Sequence, residues 1–215
     1  MDKSYLKLLT PGELQIFKKL NTPVKVQDYL EKLPINFEPK GETLMSPRRV
    51  MREGVCHCIE AAIFGAAIFW FHGQRPLLLD LKTEDTDESH VVAPFKKDGL
   101  WGAISKTNHT VLRYRDPIYR DPRELAMSYF NEYFLGKNGK KTLRSYSAPF
   151  DLSKLAHKNW LTSEEDMWYM DEALENARHY PLIKKSAIRD LRPADPIERK
   201  ELRQFEVYKD NKSKF

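Results

Sequence analysis

Two cysteines and two histidines are the residues of this chain whose types and spacing could support covalent chemistry. Cys56 and Cys58 lie on either side of His57, and a strongly apolar run begins at Cys58. His90 follows later, at the head of a second apolar segment. A thiolate is a strong nucleophile, and an imidazole within hydrogen-bond reach can take up and return its proton. These residues predict nucleophilic catalysis, with Cys58 as nucleophile and His90 as acid and base.

The apolar run predicts a buried helix over Cys58–Phe71 that begins at the thiol. Its sequence is CIEAAIFGAAIFWF, and Glu60 is its one charged residue. A thiol in the first turn lies near unpaired backbone N–H groups and the positive end of the helix dipole, which favour the thiolate. The same N–H groups can stabilise an oxyanion. The charge of Glu60 opposes this effect unless its side chain points toward another partner.

The segments after this helix predict an antiparallel arrangement that returns His90 to the thiol. Residues 77–81 (LLLDL) have the length and apolar character of a buried strand. Residues 90–95 and 100–105 are strand-like and are separated by Asp98-Gly99, a strong hairpin signal. A further strand is expected over residues 110–114.

Two residues beyond this hairpin are candidates for the group that orients the His90 ring. A two-residue turn at Asp98-Gly99 places Ser105 on the same face of the sheet as His90. A β-bulge at Gly102 would reverse that parity and bring Asn108 beside His90 instead. A side-chain amide orients an imidazole better than a hydroxyl does, so we favour Asn108 and keep Ser105 as the alternative.

Short motifs around the thiol and the histidine resemble the core of transglutaminase-like, papain-fold cysteine enzymes. They are Gly54-Val55-Cys56, Cys58 with Ala62 four residues later, Gly73-Gln74-Arg75-Pro76, His90 heading a strand, and Gly99-Leu100-Trp101. The match spans roughly residues 50–117. The resemblance implies an α+β fold in which a central helix with the cysteine packs on an antiparallel sheet with the histidine. It also implies acyl transfer at amides, by peptide hydrolysis, deamidation or cross-linking through a thioester.

Two positions in the family pattern are ambiguous or altered. The Gly-x-Cys form selects Cys56 as nucleophile, whereas the Cys-x-x-x-Ala form selects Cys58, and we prefer Cys58 because the apolar helix begins there. An aspartate orients the histidine in the family, and Ser105 stands at the corresponding position here. A catalytically silent domain that binds a peptide or protein partner in the same cleft is therefore the alternative function.

Zinc is a second chemistry that these residues could support. The possible ligands are Cys56, His57, Cys58, His90 and His109. However, Cys-x-Cys is shorter than the usual spacer between zinc ligands, and no second pair with regular spacing follows. We therefore expect neither a metal nor another cofactor.

Composition narrows the class of protein and its partners. The chain has 215 residues, of which 41% are hydrophobic and 31% charged, as in an ordinary globular protein. Its net charge of +5 comes from dispersed basic residues, which disfavours nucleic-acid binding. Two cysteines are too few for a disulfide scaffold and predict reduced thiols in the cytoplasm. The longest apolar stretch, residues 61–71, is too short to span a bilayer, so we expect no membrane partner. The peptide or protein substrate that we expect is implied by the resemblance to transglutaminase-like enzymes.

One domain over residues 1–215 is expected. It comprises a helical N-terminal extension (residues 1–50), the transglutaminase-like core (51–117) and a helical C-terminal part (118–215). The sequence Thr10-Pro11-Gly12-Glu13 predicts a helix start with a capping box. Further helices are expected over residues 26–33, 123–134, 166–180 and 197–208.

Overall fold

Five helices occupy the first third of the chain in the computed structural model, which describes residues 3–201. They are α1 (Lys3–Leu6), α2 (Pro11–Lys19), α3 (Pro23–Glu31), α4 (Pro47–Glu53) and α5 (Cys58–Phe71). In α2, α3 and α4, a Ser or Thr side chain caps the N-terminus and proline follows at the first helical position. Because of this Ser/Thr-Pro signal, α3 begins earlier in the sequence than expected. The same signal starts α4 in a segment where the apolar pattern predicts no helix.

The capping box predicted at the start of α2 is confirmed. The Glu13 N–H donates to Thr10 Oγ1 at 3.2 Å, and the Thr10 N–H donates to Glu13 Oε2 at 2.7 Å. Glu13 also accepts from Arg48 at 2.7 Å, and this bond lowers the pKa of the Glu13 carboxyl. Helix α2 is thereby tied to α4.

Helix α5 lies at the centre of the fold because its surface is apolar on almost every side. All residues from 59 to 69 are buried, including Glu60. The predicted bounds are confirmed, and the chain leaves the helix through His72 and Gly73, which has φ +87°. Across residues 3–201, no helix combines the length and apolar character needed to cross a membrane.

A seven-stranded antiparallel sheet packs against α5. Its strands are β1 (Leu77–Thr83), β2 (His90–Lys97), β3 (Leu100–Ile104), β4 (Arg115–Tyr119), β5 (Leu143–Ser147), β6 (Phe150–Asp151) and β7 (His179–Pro181). The order is β4-β3-β2-β1-β5-β7, and β6 pairs with the beginning of β1. The α+β class with an antiparallel sheet is therefore confirmed.

Three more helices accompany the second half of the sheet: α6 (Pro122–Met127), α7 (Trp168–Glu175) and α8 (Pro196–Glu201). Two 3-10 helices, Leu152–Lys158 and Lys185–Asp190, lie in the connections. The helix expected over residues 197–208 corresponds to α8 as far as Glu201, and its remainder lies outside the described residues.

The C-terminal part differs most from its predicted structure. Residues 118–215 were expected to be helical, but they supply β5, β6 and β7. The helix expected over residues 123–134 ends at Met127, and the strand expected over residues 110–114 starts only at Arg115. These strands are short and partly polar, so they depend on pairing with distant strands, which a local pattern does not reveal.

Apolar side chains cover both faces of the sheet, which explains why β1 and β2 read as continuous apolar runs. On one face, Val91 and Ala93 belong to the core built around α5. On the opposite face, Leu79 and Val92 pack in a second core with Tyr129. The sheet is thus the middle layer of three.

Gly65 allows the closest approach between α5 and the sheet. A Cβ at this position would lie 1.8 Å from Ile104 Cδ1, and Ile104 is fully buried. The absence of a side chain therefore sets the spacing between the helix with the thiol and β3.

Gly65→Ala is expected to lower the free energy of unfolding by about 1–2 kcal/mol, because overpacking outweighs the gain in helix propensity. Chemical denaturation measures the change. Gly12→Ala is the matched control, since a Cβ at Gly12 meets nothing within 4 Å. Adding Ile104→Val, which removes Cδ1, should recover part of the loss. A Gly65→Ala protein as stable as the wild type would contradict this packing.

Candidate active site

Cys58 is the first residue of α5 and borders two cavities. The larger, called the main cleft, has a volume of about 700 Å³ and is lined by residues 35–38, 57–58, 86–90 and 106–109, Leu112 and Tyr133. The smaller, called the side pocket, has a volume of about 200 Å³ and is lined by His57, Cys58, Ile59, Asp80, Lys82, Ser89, Val91, Asp171, Leu174 and Glu175. The thiol therefore has space for a ligand on two sides.

The two cysteines differ in their access to this space. Cys58 is partly exposed, whereas Cys56 is fully buried. The backbone of Cys56 is paired with the segment before it, since its N–H donates to Pro34 O at 3.3 Å and its carbonyl accepts from Asn36 at 3.2 Å. The geometry thus favours Cys58 over Cys56 as the reactive thiol.

Two imidazoles flank the Cys58 sulfur. His57 is the N-cap residue of α5, and His90 is the first residue of β2, which packs against α5. Both histidines are close enough to the Cys58 thiol to lower its pKa, through hydrogen bonding and through charge. Neighbouring residues on a helix do not face each other, which argues against a contact between His57 and Cys58. His57 escapes that argument because its backbone is extended (φ −99°, ψ −172°).

The partners of Ser105 determine which nitrogen of His90 carries a proton. Ser105 Oγ lies 2.7 Å from His90 Nε2 and 2.6 Å from the carbonyl oxygen of Leu112. A hydroxyl has one proton, and a carbonyl can only accept, so the hydroxyl donates to Leu112. Ser105 must then accept from His90, which makes Nε2 an N–H group. The Nδ1 atom is not engaged by Ser105.

The register of the hairpin explains why Ser105, and not the favoured Asn108, holds His90. The β2–β3 pairing continues without a shift from Lys97↔Leu100 to Ala93↔Ile104. The irregularity at Gly102 lies on the other side of β3, between β3 and β4. A Cβ at Gly102 would come within 2.6 Å of the Arg115 carbonyl oxygen, so this glycine serves the close approach of β4. Asn108 lies in the wall of the main cleft.

Gln27 of α3 fixes Ser105 from the opposite side, and no sequence motif indicated it. Its Nε2 donates to the Ser105 carbonyl at 2.8 Å, and its Oε1 accepts from the Ser105 N–H at 3.0 Å. The amide thus pairs with the Ser105 backbone as a neighbouring strand would. The buried residues of α3 are Val26, Gln27 and Leu30, so the signal available in the sequence was a glutamine among the apolar residues of a short helix.

The His57 ring is surrounded by acceptors. Its Nε2 lies 3.0 Å from Thr43 O, 3.4 Å from Glu60 Oε1 and 3.5 Å from Glu38 Oε1. Since a carbonyl and two carboxylates accept hydrogen bonds, Nε2 carries a proton.

Glu60 is fully buried and points away from the thiol toward the loop between α3 and α4. Its carboxylate accepts from the Thr43 hydroxyl at 2.8 Å, the Met45 N–H at 2.9 Å and the Asn36 amide at 3.2 Å. It also accepts from the His57 N–H at 3.0 Å. Glu60 is therefore bound to these donors and not to the thiol, so an acidic residue in the first turn is compatible with a thiolate at Cys58.

These contacts shift the pKa values of the thiol and of His57 in opposite directions. Burial raises the pKa of Cys58, but hydrogen bonds from His57 and His90 and their charges lower it to about 5. Burial lowers the pKa of His57, but the bond to Cys58 and the charges of Glu60 and Cys58 raise it to about 9. Both shifts favour a thiolate on Cys58 and a protonated ring on His57 at neutral pH.

The start of α5 also offers donors for an oxyanion. The first hydrogen bond inside the helix joins the Ala61 N–H to the His57 carbonyl at 3.0 Å. The N–H groups of Cys58 and Ile59 precede this ladder and point toward the N-terminal end of the helix. Within residues 3–201, no three His, Cys, Asp or Glu side chains are grouped to hold a metal ion.

The alkylation rate of Cys58 is expected to be almost independent of pH between 6.5 and 8.5. A thiol with a pKa of about 5 is nearly all thiolate at pH 6.5, whereas an ordinary thiol with a pKa of about 8.5 is about 1% ionised. The rate should fall only when the pH drops through about 5, where the thiolate takes up a proton. Iodoacetamide labelling with mass-spectrometric assignment to Cys58 or Cys56 measures this rate. The urea-unfolded chain is the control, and a rise of about 50-fold between the two pH values would refute the low pKa.

Ser105→Ala is expected to destabilise the protein by about 1–3 kcal/mol, because the His90 N–H and the Leu112 carbonyl both lose a buried partner. Ser186→Ala, at an exposed position, is the matched control and should change little. Denaturation measures both. Equal stability of the two variants would show that the bonds of Ser105 contribute nothing.

Comparisons with models of known protein families and with curated protein sequences find no match. The resemblance to transglutaminase-like enzymes therefore rests on short motifs, and function has to be argued from the geometry of the site.

Proposed function

We propose that this protein is a cysteine-dependent enzyme of transglutaminase-like type that acts on amide or peptide bonds, with Cys58 as nucleophile and His90 as acid and base. The observation that supports it best is the contact of Cys58 with a His90 ring whose far nitrogen is bonded to Ser105. A ring held in this way presents Nδ1 to the sulfur. The papain-like arrangement, with the cysteine on a central helix and the histidine on the adjacent strand, belongs to the same proposal.

The first half of the reaction forms a thioester. The Cys58 sulfur attacks the amide carbon, and the π electrons of the carbonyl move to its oxygen. The N–H groups of Cys58 and Ile59 and the helix dipole stabilise this oxyanion. The C–N bond then breaks, and protonated His90 gives its Nδ1 proton to the departing nitrogen, so that an amine leaves.

The second half releases the acyl group. Water or an amine attacks the thioester carbon, and neutral His90 takes the proton of the attacking molecule at Nδ1. The C–S bond breaks, and the thiolate and protonated His90 return. Hydrolysis and acyl transfer share every step except the identity of the attacking molecule, and the main cleft has room for either.

A catalytically silent domain that binds a peptide or protein partner is the second candidate. The observation that favours it is the hydroxyl of Ser105 in the orienting position. A neutral hydroxyl stabilises a developing imidazolium less than a carboxylate does. In this case the main cleft would bind an extended segment without cleaving it.

A generic acyl donor should distinguish the two functions. With p-nitrophenyl acetate, the wild type is expected to show a burst of product and an acetyl group on Cys58, located by mass spectrometry after acid quench. Cys58→Ala should abolish the burst, and His90→Gln should slow turnover by about 10²–10⁴-fold. Cys56→Ala, at the buried cysteine, is the matched control and should retain the burst.

Peptide substrates test the reaction itself. Turnover of a peptidyl-coumarin amide library that Cys58→Ala abolishes would support amide cleavage, and incorporation of a fluorescent primary amine would identify acyl transfer. A silent domain would give no burst and no turnover. Its melting temperature would still rise with a bound peptide in both the wild type and Cys58→Ala.

A further inference from the structure

The Cys58 site contains one more imidazole than a nucleophile and its base require. In a site with one histidine, the ring that shuttles protons is also the ring whose charge keeps the thiol ionised. Loss of its proton then removes the countercharge of the thiolate. His57 offers a way to separate these two tasks, because it contacts the same sulfur from another element.

We propose that His57, held by the carboxylates of Glu38 and Glu60, is the lasting countercharge of the Cys58 thiolate, so that His90 can lose and regain its proton while the sulfur stays ionised. The proposal deepens the proposed function and rests on it for the role of His90 alone. The ionisation of Cys58 can be measured without any substrate.

The partners of the His57 and His90 rings differ in charge, and this difference supports His57 as the lasting countercharge. The Nε2 atom of His90 donates to the neutral hydroxyl of Ser105. The Nε2 atom of His57 lies 3.4 Å from Glu60 and 3.5 Å from Glu38, besides 3.0 Å from Thr43 O. Two carboxylates favour the protonated ring, and a hydroxyl gives no such preference. His57 is therefore the ring that keeps its positive charge beside the thiolate while His90 exchanges a proton.

Burial strengthens this preference. The Glu60 side chain is 0% exposed, so its charge is poorly screened by water and acts strongly on the ring beside it. Glu60 is bonded to the Thr43 hydroxyl and the Met45 N–H, which keep it in place whatever the state of the thiol. The raised pKa of His57, about 9, agrees with this arrangement.

Other ionisable groups face the thiol and His57 from the neighbouring elements. The acidic ones are Asp80 on β1, Asp87 and Glu88 before β2, and Asp171 and Glu175 on α7. Asp80 is paired with His179 at 2.9 Å, and burial raises its pKa. These carboxylates add negative potential around the sulfur, which makes a permanent cation beside it more necessary.

The basic groups near the site do not replace His57. The Lys106 ammonium donates to the Leu33 carbonyl at 2.6 Å, and Lys82 is exposed at the rim of the side pocket. Burial and the charge of His90 lower the pKa of His109, which opposes a positive charge there. Of the cations around the main cleft and the side pocket, His57 is the one that combines contact with the sulfur and two carboxylate partners.

The pH dependence of Cys58 alkylation in single variants tests the proposal. His57→Gln should raise the pKa of Cys58 and slow labelling at pH 6.5 by about tenfold or more. His90→Gln should slow it by no more than about threefold, because His57 remains as the countercharge. His157→Gln, at an exposed histidine, is the matched control for the substitution. Mass spectrometry assigns the label to Cys58.

Glu38→Gln gives a second test that does not depend on His57 itself. A glutamine keeps the acceptor that Glu38 Oε1 provides for the Thr43 N–H at 2.7 Å, so the loop should fold as before. Loss of one carboxylate beside His57 should lower the pKa at which that ring loses its proton. The titration of the imidazole nitrogens, followed by long-range ¹H–¹⁵N spectra, should show this change in His57 and leave the His90 titration in place.

The outcomes distinguish a failure of the inference about His57 from a failure of the proposed function. If His90→Gln raises the pKa of Cys58 as much as His57→Gln or more, or if Glu38→Gln leaves the His57 titration unchanged, the inference is wrong while Cys58 can still be the nucleophile. An ordinary thiol pKa in the wild type, with no acetyl group trapped on Cys58, would instead reject the proposed function. Circular dichroism and thermal melts establish that each variant is folded.

Discussion

The buried carboxylate of Glu60 is the interaction on which the rest of the site depends. A charge without water costs several kcal/mol, and this cost is offset only when hydrogen-bond donors surround the carboxylate. Here the donors come from Asn36, Thr43, Met45 and the His57 backbone. The loop before α4 therefore has to close over the start of α5 for the fold to be stable. Closing that loop also places Thr43 O and Glu38 beside the His57 ring, so one constraint produces both the packing and the electrostatics.

Helix α5 and the first three strands could be predicted because their signals are local. A helix apolar on almost every side, a continuous apolar strand and an Asp-Gly turn can each be recognised from neighbouring residues. The contact of Cys58 with His90 followed from the same elements, since an antiparallel return brings the head of β2 to the start of α5. These elements form as predicted because tertiary packing favours the same structures as their local sequence patterns.

The orienting residue and the second imidazole could not be predicted in the same way. The choice between Ser105 and Asn108 depended on one bulge, and Gly102 serves β4 instead of bending β3 against β2. The role of His57 depended on a backbone angle at the cap of α5. Strands β5 and β7 are recognisable only by their pairing with distant segments. Each of these features arises from contacts between residues far apart in the sequence.

The two hydrogen bonds between Gln27 and the Ser105 backbone determine how much of the chain a functional fragment must contain. The motifs that suggest a cysteine enzyme lie between residues 50 and 117, and a fragment cut at those limits would contain Cys58, His90 and Ser105. It would lack the amide that holds Ser105, the loop that satisfies Glu60, and Tyr133 in the wall of the main cleft. A functional module would have to begin before Gln27 and to continue past Tyr133. The helices ahead of the motif region are thus part of the site and not an appendage to it.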